Sequence, residues 1–271
     1  MKILIFFLGV MFLIILIGWL GLRIKPSPLP PYPQEGNKPE TQPPPDGLPA
    51  PVLSFYSKLY GDNIPVIKSF IVTGRAEMRI MGITFPARFR FTHLAGQGYR
   101  HYIELTFFGL PIMKVNEYYL DGKGRLELPF GVEEGEKINQ GANLALWAES
   151  MWMPAIFITD SRPRWQAIDG ETAVLFVPFG EGEQQLIVRF DQQTGMIAIM
   201  ESMRFKGSDN ERKTLWINHA ARWEERNGTL TPTTASVTWF DEGTPWAVFQ
   251  VEDVRYNVEV EGYIRGKGPS Y

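Results

Sequence analysis

The chain has 271 residues, enough for a substantial hydrophobic core, and 44% of them are hydrophobic. Its 27 basic and 30 acidic residues leave a net charge of −3, which excludes the basic footprint of a nucleic-acid-binding protein. With no cysteine, disulfides, thiolate metal sites and cysteine nucleophiles are excluded as well.

Residues 3–22, ILIFFLGVMFLIILIGWLGL, carry no charge and lie between Lys2 and Arg23. Twenty helical residues rise about 30 Å, the thickness of a bilayer's hydrocarbon core. Trp19 stands near one end, where interfacial aromatics are at home. The segment runs on into GLRIKP without a small-residue cleavage pattern, so residues 1–25 read as an uncleaved single-pass anchor rather than a signal peptide. The positive charges flanking it nearly balance. The globular part is placed outside the cytoplasm, at the cell membrane, mainly because a proline-dense spacer separates it from the anchor.

That spacer, residues 26–51, PSPLPPYPQEGNKPETQPPPDGLPAP, is aperiodic, as expected of an extended linker that stands a domain off the bilayer. A domain is then expected over 52–264, followed by a tail at 265–271. It opens with a short helix carrying Val52, Phe55, Tyr56 and Leu59 on one side. Alternation of apolar and polar residues marks strands at 70–80, 83–93 and 99–107. A Met81-Gly82 turn sets Met78 opposite Phe85, Ala76 opposite Ala87 and Val72 opposite Phe91. A turn at 96–98 sets Phe91 opposite Ile103, Arg90 opposite Glu104 and His93 opposite His101.

Further strands are expected at 112–120 and 125–130. After a helical interlude they resume at 164–169, 172–179, 184–190, 195–205, 213–224, 233–240 and 246–260. The pattern predicts a mainly β (α+β) fold: a large curved antiparallel sheet or half-barrel of ten to twelve strands with one main helix packed on it. In the interlude, NLALWAESMWMPAIFI, Glu149 is surrounded at helical spacing by Ala145, Leu146, Trp152 and Met153, and Pro154 should end or kink the helix. A carboxylate in such surroundings needs a partner, with Arg204 or Arg164 the expected one, or else contacts a ligand.

The segments WAESMWMPAIFI, RWQAIDGETAVL and WINHAARWEERNGTLTPTTASVTW resemble a bacterial family known as a domain of unknown function, DUF6544. Its acid, aromatic and proline after a short helix, followed by W-x-x-x-D, would fall on Glu149, Trp152, Pro154, Trp165 and Asp169. The resemblance covers roughly residues 48–260 and implies no activity. At the level of fold, the layout is similar to the outer-membrane lipoprotein carriers, whose curved sheet and covering helices would imply an apolar ligand.

Glu149, Trp147, Met151, Trp152 and Trp165 are therefore the candidate ligand-binding residues. His93 and His101 form a candidate metal pair with too few ligands for zinc by themselves. Asp169 and Glu171 are read as a turn, and Asn227-Gly228 as a hairpin. No catalytic motif is present, and a non-enzymatic protein without a cofactor is expected. The leading expectation is a membrane-anchored domain that binds a lipid or other hydrophobic small molecule on the concave side of the sheet. The alternative is an envelope protein-interaction or scaffold module with a filled core; the sequence names no protein partner.

Overall fold

The computed structural model describes residues 2–33, 36–226 and 228–266. In chain order, α1 (Lys2–Arg23) precedes β1 (Thr41–Gln42), α2 (Ala50–Tyr60) and β2 (Ile64–Pro65). Six strands come next: β3 (Ser69–Ile80), β4 (Ile83–Leu94), β5 (Gly98–Phe107), β6 (Leu110–Leu120), β7 (Lys123–Leu128) and β8 (Gly131–Glu134). They lead into α3 (Glu136–Ala148), a 3₁₀ turn at Glu149–Trp152, and α4 (Ile156–Thr159). The remainder is β9 (Arg164–Ala167), β10 (Thr172–Phe179), β11 (Gly182–Phe190), β12 (Ile197–Arg204), β13 (Thr214–Arg226), β14 (Thr229–Trp239), β15 (Pro245–Tyr256) and α5 (Glu261–Arg265).

Strands β3 to β15 form one antiparallel sheet of thirteen strands, in the order β8-β7-β6-β5-β4-β3-β15-β14-β13-β12-β11-β10-β9. Two meanders are thus sewn together by one long-range pairing, β3 with β15. The outermost strands, β8 and β9, are the two that flank the helical interlude in the chain. So α3 and α4 must pass from one edge of the sheet to the other, and α3 touches β6, β7 and β8 on one side and β10, β11 and β12 on the other. The sheet wraps round the helix, and the main core fills the concave space between them.

The alternating strands and the Met81-Gly82 turn are as expected, with Met78 opposite Phe85 and Ala76 opposite Ala87. The next hairpin differs. Leu94 pairs with Gly98, so the turn is Ala95–Gln97 and the register lies two residues from that expected: His93 faces Tyr99, and Arg88 rather than Arg90 faces Glu104. A slip of two preserves the face of every side chain. Arg88 indeed bonds Glu104 at 2.6 Å. A thirteenth strand, β8, was not foreseen, because its four residues GVEE show no alternation.

The polar face of β4 and β5 is not open to water. Arg90, Arg100 and Glu104 are buried there under chain from both termini. Arg88 donates to the Ser27 carbonyl at 3.2 Å, Arg90 to that of Pro30, and Arg100 to that of Ile264 at 2.9 Å. A second small core of Ile71, Val258, Val260 and Ile264 completes this layer. The described residues of the proline-rich segment lie against the sheet instead of standing off it, with Ser27 and Pro30 held by Arg88 and Arg90, and Thr41–Gln42 pairs with Ile64–Pro65. The last strand stops at Tyr256 rather than continuing to 260. Asn227, half of the expected Asn-Gly turn, lies outside the described residues, as do 267–271 of the tail; β13 and β14 pair up to Arg226 and Thr229 on either side of that turn.

Gly74 sits at the seam, opposite a bulge in β15, where a Cβ would meet the Gln250 carbonyl oxygen at 2.0 Å. Gly74→Ala should therefore destabilise the protein by about 1–3 kcal/mol through overpacking. Denaturant unfolding of the two proteins measures this.

Candidate functional site

Side chains of alternate residues on β4, β5 and β6 point into the concave core. Near one end of these strands they are polar: His93 on β4, Tyr99 and His101 on β5, and Glu117 on β6. His93 is opposite Tyr99, and His101 is opposite Glu117, so the two histidines are diagonal neighbours on one face. Glu149 reaches this patch from above. The end of α3 at Ala148 and the tighter turn after it aim its carboxylate at the sheet.

Glu149 Oε2 lies 2.7 Å from His101 Nε2 and 3.0 Å from His93 Nε2, and the two Nε2 atoms are 3.4 Å apart. On the far side of the His101 ring, Nδ1 is 3.7 Å from Glu117 Oε2. Tyr99 donates its hydroxyl to Glu117 Oε1 at 2.6 Å. Aromatic rings wall the cluster: Phe70 stacks on His93 at 4.2 Å, while Phe91 and Tyr99 flank His101 at 4.0 Å each.

Both imidazoles are buried, whereas Glu149 keeps 14% of its side chain exposed. Burial alone would raise the Glu149 pKa, but the neighbouring His101, and then His93, bring it down to about 2. Burial would likewise make His101 less basic; the Glu149 and Glu117 carboxylates overcome this and raise it to about 9. Burial dominates at His93 and lowers it to about 4. Glu117 resists its burial in the same way as Glu149 and is lowered, chiefly by His101, with Arg204 contributing. At neutral pH the cluster is thus a His101 imidazolium between two carboxylates, beside a neutral His93.

Neither arginine expected to partner Glu149 pairs with it, although Arg204 is near enough to act on Glu117. Arg164 pairs with Glu183 at 2.5 Å, and the Arg204 guanidinium stacks over Trp216 at 4.5 Å. His93 and His101 take their place. Trp147, Met151 and Trp152 are each at most 2% exposed and pack into the main core, with Trp165 at its margin. Asp169 and Glu171 form the expected turn, the Glu171 amide donating to Asp169 Oδ1 at 2.9 Å. Glu117 and Tyr99 were missed; the correct hairpin register places both beside the histidines. A groove of about 490 Å³ lies beside residues 36–39, lined by Tyr60, Pro65, Ile67 and Tyr256 among others but by none of the helical interlude.

A family model described as a family of unknown function, DUF6544, matches residues 39–251. The chain belongs to that family. No curated protein matches it. Three solved structures of similar layout are a DUF1329 family protein from Desulfovibrio piger, a putative outer membrane lipoprotein-sorting protein domain from Vibrio parahaemolyticus, and a LolA superfamily protein from Nitrosomonas europaea. They are 14%, 13% and 14% identical, with TM-scores of 0.45, 0.42 and 0.44. The matches cover 74%, 78% and 77% of this family member and 91%, 92% and 94% of the respective structures.

The pKa shifts in this DUF6544 domain imply a dome-shaped pH dependence. His101, raised to about 9, stabilises the fold fully below the ordinary histidine value, and that contribution is lost as pH rises towards 9. His93, lowered to about 4, acts oppositely: unfolding takes up a proton there as pH falls from about 6.5 to 4, so stability drops on the acid side. Thermal unfolding midpoints in chelator should peak near pH 6.5. His101→Gln should flatten the alkaline flank and His93→Gln the acid flank.

Proposed function

We propose that the protein is a single-pass membrane protein whose β domain rests on the bilayer by one end of its sheet and binds a lipid or other apolar molecule, without catalysing a reaction. The observation that carries this reading is the position of its exposed apolar side chains. Four neighbouring hairpins, β7-β8, β5-β6, β3-β4 and β14-β15, turn at the same end of the sheet. At their tips stand Phe130, Phe108, Met81 and Phe240, all exposed, with Leu110 and Ile112 beside them.

Met81 is 98% exposed, and both it and Phe108 have positive φ, 50° and 52°. Such positions suit Asn or Asp, and the β6-β7 tip at the opposite end does use Asp121. Large apolar residues gain nothing there in water. α1, long and apolar enough to cross a membrane and bare of protein along its apolar window, finishes at the same end of the sheet: the Phe108 amide donates to the Gly21 carbonyl at 2.8 Å. An anchored domain would then bring its apolar tips to the lipid surface, on the extracytoplasmic side in the orientation read from the sequence.

The ligand would lie on the concave face, against Trp147, Met151, Trp152 and Trp165, with Glu149 towards its polar end. Loading would displace the segment Glu149–Thr159, which is already divided into a 3₁₀ turn and a one-turn helix round Pro154. The close packing of Trp147 and Trp152 favours a second reading, a filled module whose apolar tips meet a membrane protein instead.

The absence of cysteine permits clean labelling. A polarity-sensitive fluorophore on Met81→Cys or Phe108→Cys, in the full chain in nanodiscs, should be quenched by spin-labelled lipid. A label on Asp121→Cys should not; equal quenching at both ends contradicts the bilayer contact. Native mass spectrometry of the gently released chain should show a retained lipid mass, and a clean unliganded mass favours the filled module.

A further inference from the structure

We infer that His93, His101 and Glu149 form a binding site for one divalent transition-metal ion of the zinc class, clamping the helical interlude to the sheet. The inference does not rest on the bilayer contact proposed above, although it shares Glu149 with the proposed ligand site, and a metal there would hold the segment that loading displaces. His93 Nε2, His101 Nε2 and Glu149 Oε2 all face one point, with separations of 3.4, 3.0 and 2.7 Å. Metal–nitrogen and metal–oxygen bonds of about 2.0–2.2 Å place ligand atoms about 3.3 Å apart at tetrahedral angles and about 2.9 Å apart at right angles. An ion fits after shifts of a few tenths of an ångström.

The two contacts to Glu149 are short, and the two Nε2 atoms are within hydrogen-bond distance of each other. Glu149 Oε2 is shielded from solvent yet receives no hydrogen bond of acceptable angle from either ring, and the buried Nδ1 of His93 has no partner. Three atoms able to ligate a metal thus lie within 3.4 Å of one another.

The surroundings match a metal site further out. A ligating imidazole usually directs its other nitrogen at a carboxylate, which fixes the ring and its tautomer. His101 Nδ1 faces Glu117 in this way, and Glu117 is itself held by the Tyr99 hydroxyl. The stacking partners Phe70, Phe91 and Tyr99 restrain both rings. Two imidazoles and one carboxylate suit zinc, cobalt, nickel or ferrous iron; calcium and magnesium prefer all-oxygen sites. The exposed side of Glu149 leaves room for water as a further ligand.

His219, the remaining histidine, is exposed on β13 and serves as a control. The full-length protein in detergent, stripped with chelator, should take up one Co²⁺ per chain with visible d–d absorption, and Zn²⁺ should displace it. His101→Gln and Glu149→Gln should weaken Co²⁺ binding about 100-fold or more, Glu117→Gln about 10- to 100-fold, and His219→Gln not at all. If Glu149→Gln does not fold, Glu149→Asp retains the charge and should still weaken binding about tenfold. Failure of the wild-type protein to bind Co²⁺ stoichiometrically, or unchanged affinity in the Glu149 variants, overturns the inference.

Discussion

A largely enclosed carboxylate held against two buried imidazoles is the constraint on which the rest of this structure depends. Taking a charge out of water costs several kcal/mol unless it is paired, so Glu149 commits the chain to bringing β4, β5 and the turn after α3 to one point. Its partners lie 56 and 48 residues earlier in the sequence, at His93 and His101. Around that point the helical interlude is pinned by polar contacts to other parts of the fold. Tyr56 donates to the Pro154 carbonyl at 2.6 Å, Tyr256 to that of Trp152 at 2.9 Å, and Trp152 itself to that of Pro232 at 3.1 Å. Each joins the segment to a different element, and together they determine how the concave face is filled.

The sheet obeys the same economy. An isolated thirteen-stranded sheet would expose two long faces and two edges. Here the concave face closes on α3, and the convex face of β4 and β5 is covered by the proline-rich segment and the C-terminal residues. The cover is fastened by Arg88, Arg90 and Arg100, whose guanidinium groups bond its carbonyls. That arrangement holds the end of α1 against the β5-β6 hairpin. It also leaves Met81, Phe108, Phe130 and Phe240 exposed at the hairpin tips of the same end of the sheet.

Much of the fold was legible because period-two alternation directly reports which side of a strand is dry. Met81-Gly82 also has a turn length that permits one register. Ala95–Gln97 was ambiguous, since GQG and AGQ are both acceptable three-residue turns; the structure uses the second, which sets Tyr99 between His93 and Tyr119. The polar faces of β4 and β5 looked wet because the covering chain comes from opposite ends of the sequence. Glu149 stood out as a charge among apolar neighbours, and its need for a partner was evident. Which partner was not, because arginine is the commoner choice and the histidines meet Glu149 only through tertiary packing. Glu117 carried no local signal at all; it becomes visible once it is opposite His101.

Amide hydrogen exchange followed residue by residue in the full-length protein and in Glu149→Gln tests the central claim most directly. If the Glu149–histidine cluster holds the interlude on the sheet, residues 149–159 lose protection in the variant while β3, β15 and the seam between them keep theirs. Unchanged protection across 149–159 would show that apolar packing alone holds the helix, and that the cluster is not the constraint assigned to it.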